Sequence, residues 1–374
     1  MKIIIDKEAI SILDDSPSKR IDTMNIKRKR KFAILMAIVG CLIANSSLRL
    51  DAVTLSAEEV VLIIGNETMF PTVDANNLLT DAISTRMTNV RGCLTEPFVY
   101  GIYGHTNRNN IVTGYSPKSD MLGFTLGMDY VWTFENEKYF RLGAAFGYVH
   151  GKTTPLKDLA MAIGGMAGNG GFEKDIHDVC AARFFGAYES FNDKCLKTNI
   201  GVILGYNYGR DRIRQGNDDS KFASHGLSLG LEFIKNLYAY DGYQFGLWLR
   251  ANYSFISKKL LHDGDGSMKF LHNFLATVVG LNVEKEIFQN ADKKTTLSLK
   301  TGWECRMQHI VSDETSNNSN ETTGHKYPAK SVAIVSIGIS QKLNSHWNIA
   351  GSYSARFGKD FLSHSLSGGI EYSF

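Results

Sequence analysis

Side chains able to break or make bonds are present in this chain, but no two types meet at a useful spacing. A hydroxyl nucleophile needs a histidine base and an orienting carboxylate at one rim. His150, His177, His262, His272, His325 and His364 fall on separate segments without a GxSxG-type motif, and they read as surface histidines near loop ends. The five cysteines, Cys41, Cys93, Cys180, Cys195 and Cys305, form neither a CxxC pair nor a metal-type spacing, and an odd scattered set is no disulfide framework. Cys180 and Cys195 belong to neighbouring segments whose register separates them, so no bond between them is expected. The oxygen-rich run Ser312–Thr323 lacks the ordered ligand spacing of a calcium loop and reads as solvated chain. No enzyme, metal or cofactor is expected.

Charge and composition narrow the class. With 41 basic and 38 acidic residues the formal charge is only +3, and no basic patch dominates, which removes the electrostatic case for nucleic acid. Six prolines against 35 glycines, 16 tyrosines and 21 phenylalanines suit long strands with aromatic faces.

The elements that must position any functional side chain are therefore strands, and their periodicity is explicit. In 138–151, Phe140, Leu142, Ala144, Phe146 and Tyr148 share one face, while Arg141, Gly143, Ala145 and Gly147 share the other. Segment 119–134 sets Leu122, Phe124, Leu126, Met128, Tyr130, Trp132 and Phe134 against Gly123, Thr125, Gly127, Asp129 and Thr133, and 239–257 repeats the pattern. A greasy face opposite a small or polar one is the signature of strands that cross a membrane. A soluble sandwich would carry charge on its outer face. Hydrocarbon offers backbone N–H and C=O groups no partner, so only a closed sheet satisfies them all.

Twelve such segments are read at 96–106, 119–134, 138–151, 177–191, 194–210, 221–235, 239–257, 269–286, 293–307, 327–342, 345–357 and 361–374. The fold class is all-β, a twelve-stranded antiparallel transmembrane barrel. Tight turns are expected at Glu135–Glu137, Asn192–Asp193, Asn236–Tyr238 and Leu343–Asn344, facing the periplasm, with mostly longer loops at 107–118, 152–176, 211–220, 258–268 and 308–326 outside. The Gly- and Met-rich loop 152–176 reads as flexible filler. Inward parity places Asp129, Arg141, Arg183, Glu189, Lys197, Arg250, Glu284, Lys300, Glu304 and Arg356 along the pore.

Ahead of the barrel, Lys27–Lys31 followed by the apolar run Phe32–Val39 reads as a secretory signal peptide over 24–46, too short for a membrane helix and so removed on export. Residues 1–23 read as an upstream extension or a mis-called start. Ile38–Cys41 resembles a lipobox, although a cysteine in a discarded segment accounts for it as well. Residues 47–71 are left as a short linker or vestigial passenger, in which Val60–Ile64 offers at most one strand. Apolar positions 79, 83, 87 and 90 then predict a helix over 72–92, begun near Thr72 or Asp74 and stopped at Gly92.

The run Arg86-Met-Thr-Asn-Val90-Arg91 on that helix, the first-strand Phe98-Val-Tyr100-Gly101 and the second-strand Gly127-Met-Asp129-Tyr130 together resemble the autotransporter β-domain family. The final strand, with Leu366, Ile370, Tyr372 and Phe374 on one face and a terminal aromatic, looks like the assembly signal of outer-membrane barrels. The resemblance covers about 72–374. It implies a twelve-stranded barrel in the bacterial outer membrane that exports or displays the polypeptide before it and keeps the linker helix, 72–92, in the pore of the 93–374 barrel. It also implies outer-membrane lipids, the barrel-assembly machinery and periplasmic chaperones as partners, and a monomeric barrel. Some relatives cut themselves between two asparagines of the pore helix, with acidic wall groups as helpers. Asn76-Asn77 occupies a comparable place, with Asp129, Glu189 or Glu304 as candidate helpers, but Asn pairs are common and a polar helix start explains this one without chemistry. The departure is the passenger, about 25 residues where relatives carry hundreds. A diffusion porin or a loop-based adhesin is the alternative.

Overall fold

Strict two-residue alternation over long Val-, Ile-, Tyr- and Phe-bearing segments gives pleated strands with one apolar and one polar or small face. In the computed structural model twelve of them close on themselves. The structure describes residues 57–88, 95–108, 118–135, 137–154, 172–192, 196–215, 218–261, 268–290, 293–314, 322–359 and 361–374. The signal peptide, Cys41, Cys93, Cys195, His262, most of loop 152–176 and residues 315–321 lie outside that set, as does the side chain of His325.

One helix, α1 (Ala57–Met87), precedes the strands. They are β1 (Thr95–Arg108), β2 (Lys118–Phe134), β3 (Lys138–Thr154), β4 (Phe172–Phe191), β5 (Lys197–Gln215) and β6 (Asp218–Tyr240), followed by β7 (Tyr243–Leu261), β8 (Met268–Asn290), β9 (Lys293–Glu314), β10 (Thr322–Lys342), β11 (Trp347–Gly358) and β12 (Phe361–Tyr372). Each strand pairs antiparallel with its sequence neighbours, and β1 pairs with β12 to complete a closed barrel. At the seam Gly101 stands opposite Gly368. All twelve expected strands are present, several extended at the end that carries the longer connections.

The outer face is apolar through the middle of the strands, with Leu122, Leu142, Phe184, Leu204, Leu227, Val279 and Ile337 exposed. Aromatic residues flank this band. Toward the tight turns lie Tyr130 and Trp132, with ring centroids 4.5 Å apart, and Trp347 and Tyr372 at 4.8 Å. Toward the loops lie Tyr103, Tyr206, Tyr253 and Tyr353. Two aromatic girdles bounding an apolar belt are what a membrane-embedded barrel requires.

Three sequence readings change. The turn expected at Asn236–Tyr238 is instead a register shift within the β6–β7 pairing, and the chain reverses at Asp241-Gly242. Both turn residues have positive φ, 49° and 75°, the conformation a two-residue hairpin demands and Asp-Gly supplies. The helix also begins earlier than Thr72: α1 takes in Val60–Ile64 and runs through Pro71. The β-branched run was weighed as a strand, but helix propensities differ by less than about 1 kcal/mol per residue and are easily overridden. At its other end α1 stops at Met87 and not Gly92, because the barrel wall takes the last carbonyls: Asn199 Nδ2 donates to Met87 O at 3.1 Å and Lys197 Nζ to Thr88 O at 3.3 Å. No glycine cap is then needed. Cys180 is a free thiol.

Candidate functional site

The inward faces of the strands hold α1. Its contacts sort by depth. Nearest the tight turns, Arg86 is fully buried among three carboxylates. Its Nε lies 2.8 Å from Asp129 Oδ2 and its Nη2 3.0 Å from Asp129 Oδ1, while Nη2 and Nη1 reach Glu96 and Glu371. Arg141 shares Asp129 at 3.0 Å and Glu96 at 3.3 Å. Tyr100 donates its hydroxyl to Glu371, and Asn348 Nδ2 does so at 2.6 Å. Five strands, β1, β2, β3, β11 and β12, thus converge on one helix arginine. Charges this deep persist only when each lone pair and proton is engaged.

Above this network the packing is apolar. Ile83 and Met87 sit with Phe98, Tyr100, Val131, Phe185 and Ile203. One turn further, Ala75, Leu78, Leu79 and Ala82 sit with Ile102, Met121, Val149 and Val179. The wall leaves room by omission: a Cβ on Gly147 would lie 2.3 Å from Leu79 Cδ2.

The other side of α1 is polar. Asp81 pairs with Arg250 at 2.6 Å and Arg356 at 3.0 Å. Ser84 donates to Glu232, which also receives Trp248 Nε1 at 2.9 Å and Lys300 Nζ at 2.8 Å. Thr85 Oγ1 meets Ser352 Oγ at 3.0 Å. A cavity of about 50 Å³ remains between this side of α1 and the wall, lined by Thr85, Thr296, Ser298, Ser336, Ser340 and Ser354 among others. Nearer the loops, Arg108 pairs with Asp74 and stacks its guanidinium 4.6 Å from the Phe70 ring.

A closed twelve-stranded barrel whose lumen is occupied by the helix preceding it invites comparison with secretion barrels. The autotransporter β-domain family model matches residues 98–354. The chain belongs to that family. It is an outer-membrane autotransporter translocator barrel. Among solved structures it is similar to the transport unit of the autotransporter AIDA-I from Escherichia coli, at 15% identity and a TM-score of 0.58 over 79% of this chain and 98% of that one. It is also similar to the β domain of the Bordetella autotransporter BrkA, at 14% and 0.54 over 75% and 100%, and to the translocator domain of NalP from Neisseria meningitidis, at 12% and 0.53 over 80% and 98%. At such identities the likeness is one of fold. No curated protein sequence matches the chain.

In this autotransporter barrel the ten inward residues singled out from sequence occupy different tiers. Asp129 and Arg141 belong to the Arg86 network, Arg250, Arg356 and Lys300 to the polar side, and Glu304 holds Arg306 and Arg356. Lys197 pairs with Glu284 at 2.7 Å. Arg183 Nη2 donates to Asn76 Oδ1 at 2.7 Å, and Glu189 lies against Asn199. Of the C-terminal set, Leu366, Ile370 and Phe374 are exposed on the outer face and Tyr372 packs between Trp347 and Phe374.

The structure does not assemble the self-cleavage set. Both ends of the Asn76 amide are committed, Nδ2 to Ser254 at 2.8 Å and Oδ1 to Arg183 and Asn207. Asp129 and Glu304 are bound to arginines elsewhere.

Two histidines are not on the surface as read: His177 and His272 are buried, because their parity turns them inward near the loop end. His177 Nδ1 faces Asp211 at 2.7 Å, and its Nε2 is shared by Thr153 at 3.0 Å and Asp175 at 3.1 Å. The grouping has the components of a hydroxyl–histidine–acid relay, but Nε2 is not reserved for Thr153, and that hydroxyl is buried. Lys258 pairs with Asp211 and completes a charged cluster.

Sequence reasoning missed Arg86, Glu96, Asp81, Glu232 and Glu371 as members of the seat. Glu371 was available, since it alternates inward between Ile370 and Tyr372, but the terminal strand was read for its outer face. Asp81 was read only as part of the helix and Arg86 only as part of a family-like run, because nothing in a sequence says which wall a pore helix leans on.

Proposed function

We propose that this barrel translocates or displays the segment that precedes it, together with its long loops, at the cell surface, and then retains the part of α1 from Thr72 onward as a plug. The observation that carries the reading is the buried Arg86 network, which ties the end of the helix to both sides of the barrel seam. A helix left in the pore after transit would need such an anchor, whereas a diffusion porin gains nothing by filling its lumen. In this reading 24–46 is a cleaved signal peptide, 47–71 a short passenger or linker, 72–92 the plug and 93–374 the monomeric barrel. The barrel-assembly machinery reads the last strand through Leu366, Ile370, Tyr372 and Phe374. The end with the longer connections faces the exterior, and Asp129, Arg141 and their inward companions line the route.

The test is single-channel conductance of the refolded protein in planar bilayers, with and without residues 72–91. The deletion is expected to turn a nearly closed barrel into an open one. Equal conductance in both forms would favour a porin, and unchanged transport with loss of surface binding on loop shortening would favour an adhesin.

A further inference from the structure

Beyond the apolar belt, the outward face of β3–β7 changes chemistry toward the loop end. Along β5 the outward positions run Val202, Leu204, Tyr206, Tyr208, Arg210 and Arg212: apolar, then aromatic, then cationic. The register extends the cationic level sideways. Arg212 stands opposite Lys221 of β6 and Ile176 of β4, and Ile176 opposite Lys152 of β3. Arg210 stands opposite Asp178 and Ala223, and Ala223 opposite Lys259 of β7.

Five cations therefore share one outward patch. At about 4.8 Å between strands it is roughly 19 Å wide. Its carboxylate Asp178 is already engaged by Tyr148 at 2.5 Å and His150 at 2.9 Å, and Asp120 of β2, which stands opposite Lys152 at the patch edge, is engaged by His105 at 2.7 Å. Among the described residues no carboxylate forms a salt bridge with Lys152, Lys221 or Lys259, all of which are exposed. Beside them lies an open recess of about 630 Å³ whose lining includes Ile176, Tyr208, Arg210, Arg212 and Lys221. Around the seam, by contrast, the outward residues at this level include His105 and His364.

We propose that the outward loop-end face of β3–β7 binds the phosphorylated headgroup of a glycolipid in the outer leaflet. Guanidinium and ammonium groups on adjacent strands match a phosphate's several oxygens, and their aliphatic stems lie along apolar neighbours while the charges stay at headgroup level. The occupant is a lipid because the same strands, below the aromatic level, present Leu204, Leu227 and Phe184, which acyl chains must cover. A free anion satisfies only the upper level. The assignment to the outer leaflet rests on the proposed orientation of the barrel.

The test uses the purified full chain in detergent and measures dissociation constants by native mass spectrometry for three probes: bisphosphorylated lipid A, the same lipid without phosphates, and inorganic phosphate. The combined variant Arg210→Gln, Lys221→Gln and Lys259→Gln should weaken lipid A binding on the order of a hundredfold. A control removing the same charge at Lys118, Lys138 and Lys235 by glutamine should not. Equal binding by the patch variant, equal binding of the phosphate-free lipid, or displacement of lipid A by equimolar phosphate would each overturn the proposal. Orientation is read separately from an epitope in the β9–β10 connection: detection on intact cells is expected, and a hidden epitope would overturn the outer-leaflet assignment whatever the binding result.

Discussion

At the scale of the residue, Arg86 is the side chain on which most depends. Two guanidinium groups, Arg86 and Arg141, serve three buried carboxylates, Glu96, Asp129 and Glu371. Replacing Arg86 by methionine keeps the volume but leaves Glu371 without a cation and Arg141 alone against Glu96 and Asp129, and losing one partner of a buried pair costs about 3–5 kcal/mol. Arg86→Met should therefore raise the open-channel current while the barrel still migrates as a folded, heat-modifiable species; a current no higher than wild type would show that the network does not hold the helix. Asn76 makes a different prediction. With its amide bound by Ser254, Arg183 and Asn207, the chain should remain a single polypeptide by intact-mass measurement, and Asn76→Ala should lower stability by roughly 1–3 kcal/mol without changing processing. Inward parity was readable for Asp129 or Arg183, since alternation alone decides it. Their partners were not, because ion pairing across the lumen depends on how far each strand is staggered, which no local pattern records.

At the scale of the element, α1 is positioned by shape on one side and by charge on the other. The shape side contains a prediction of its own. Leu79 fits where Gly147 leaves a gap, so Gly147→Val should push the helix off its seat at a cost of about 1–3 kcal/mol. The change should appear as faster proteolysis within α1 and higher conductance, with the strand signal in circular dichroism unaltered. All twelve strands were legible because each is long and alternates through most of its length. The β6–β7 reversal was misplaced because Asn236-Leu237 looked turn-like, whereas the Asp241-Gly242 pair five residues on carried the stronger hairpin signal. The helix start was misjudged because Pro71 suits a first turn, and its presence inside α1 had no warning in the periodicity.

At the scale of the whole molecule, closure through β1 and β12 leaves no free edge, and the barrel should resist denaturant by its full hydrogen-bonded circumference. The seat within it is uneven. Apolar packing concentrates on the β1–β5 side, while toward β6–β11 the helix faces ion pairs, hydroxyls and a small cavity. Added salt weakens charge pairs and leaves apolar contact intact or stronger. Between low and high ionic strength the mean current through the plugged barrel, corrected for electrolyte conductivity, should hardly move, while its fluctuation grows as the helix rocks toward the hydroxyl-lined wall. The lopsided seat thus turns a stopper into a source of electrical noise, and the spectrum of that noise would report how tightly the charged side is latched.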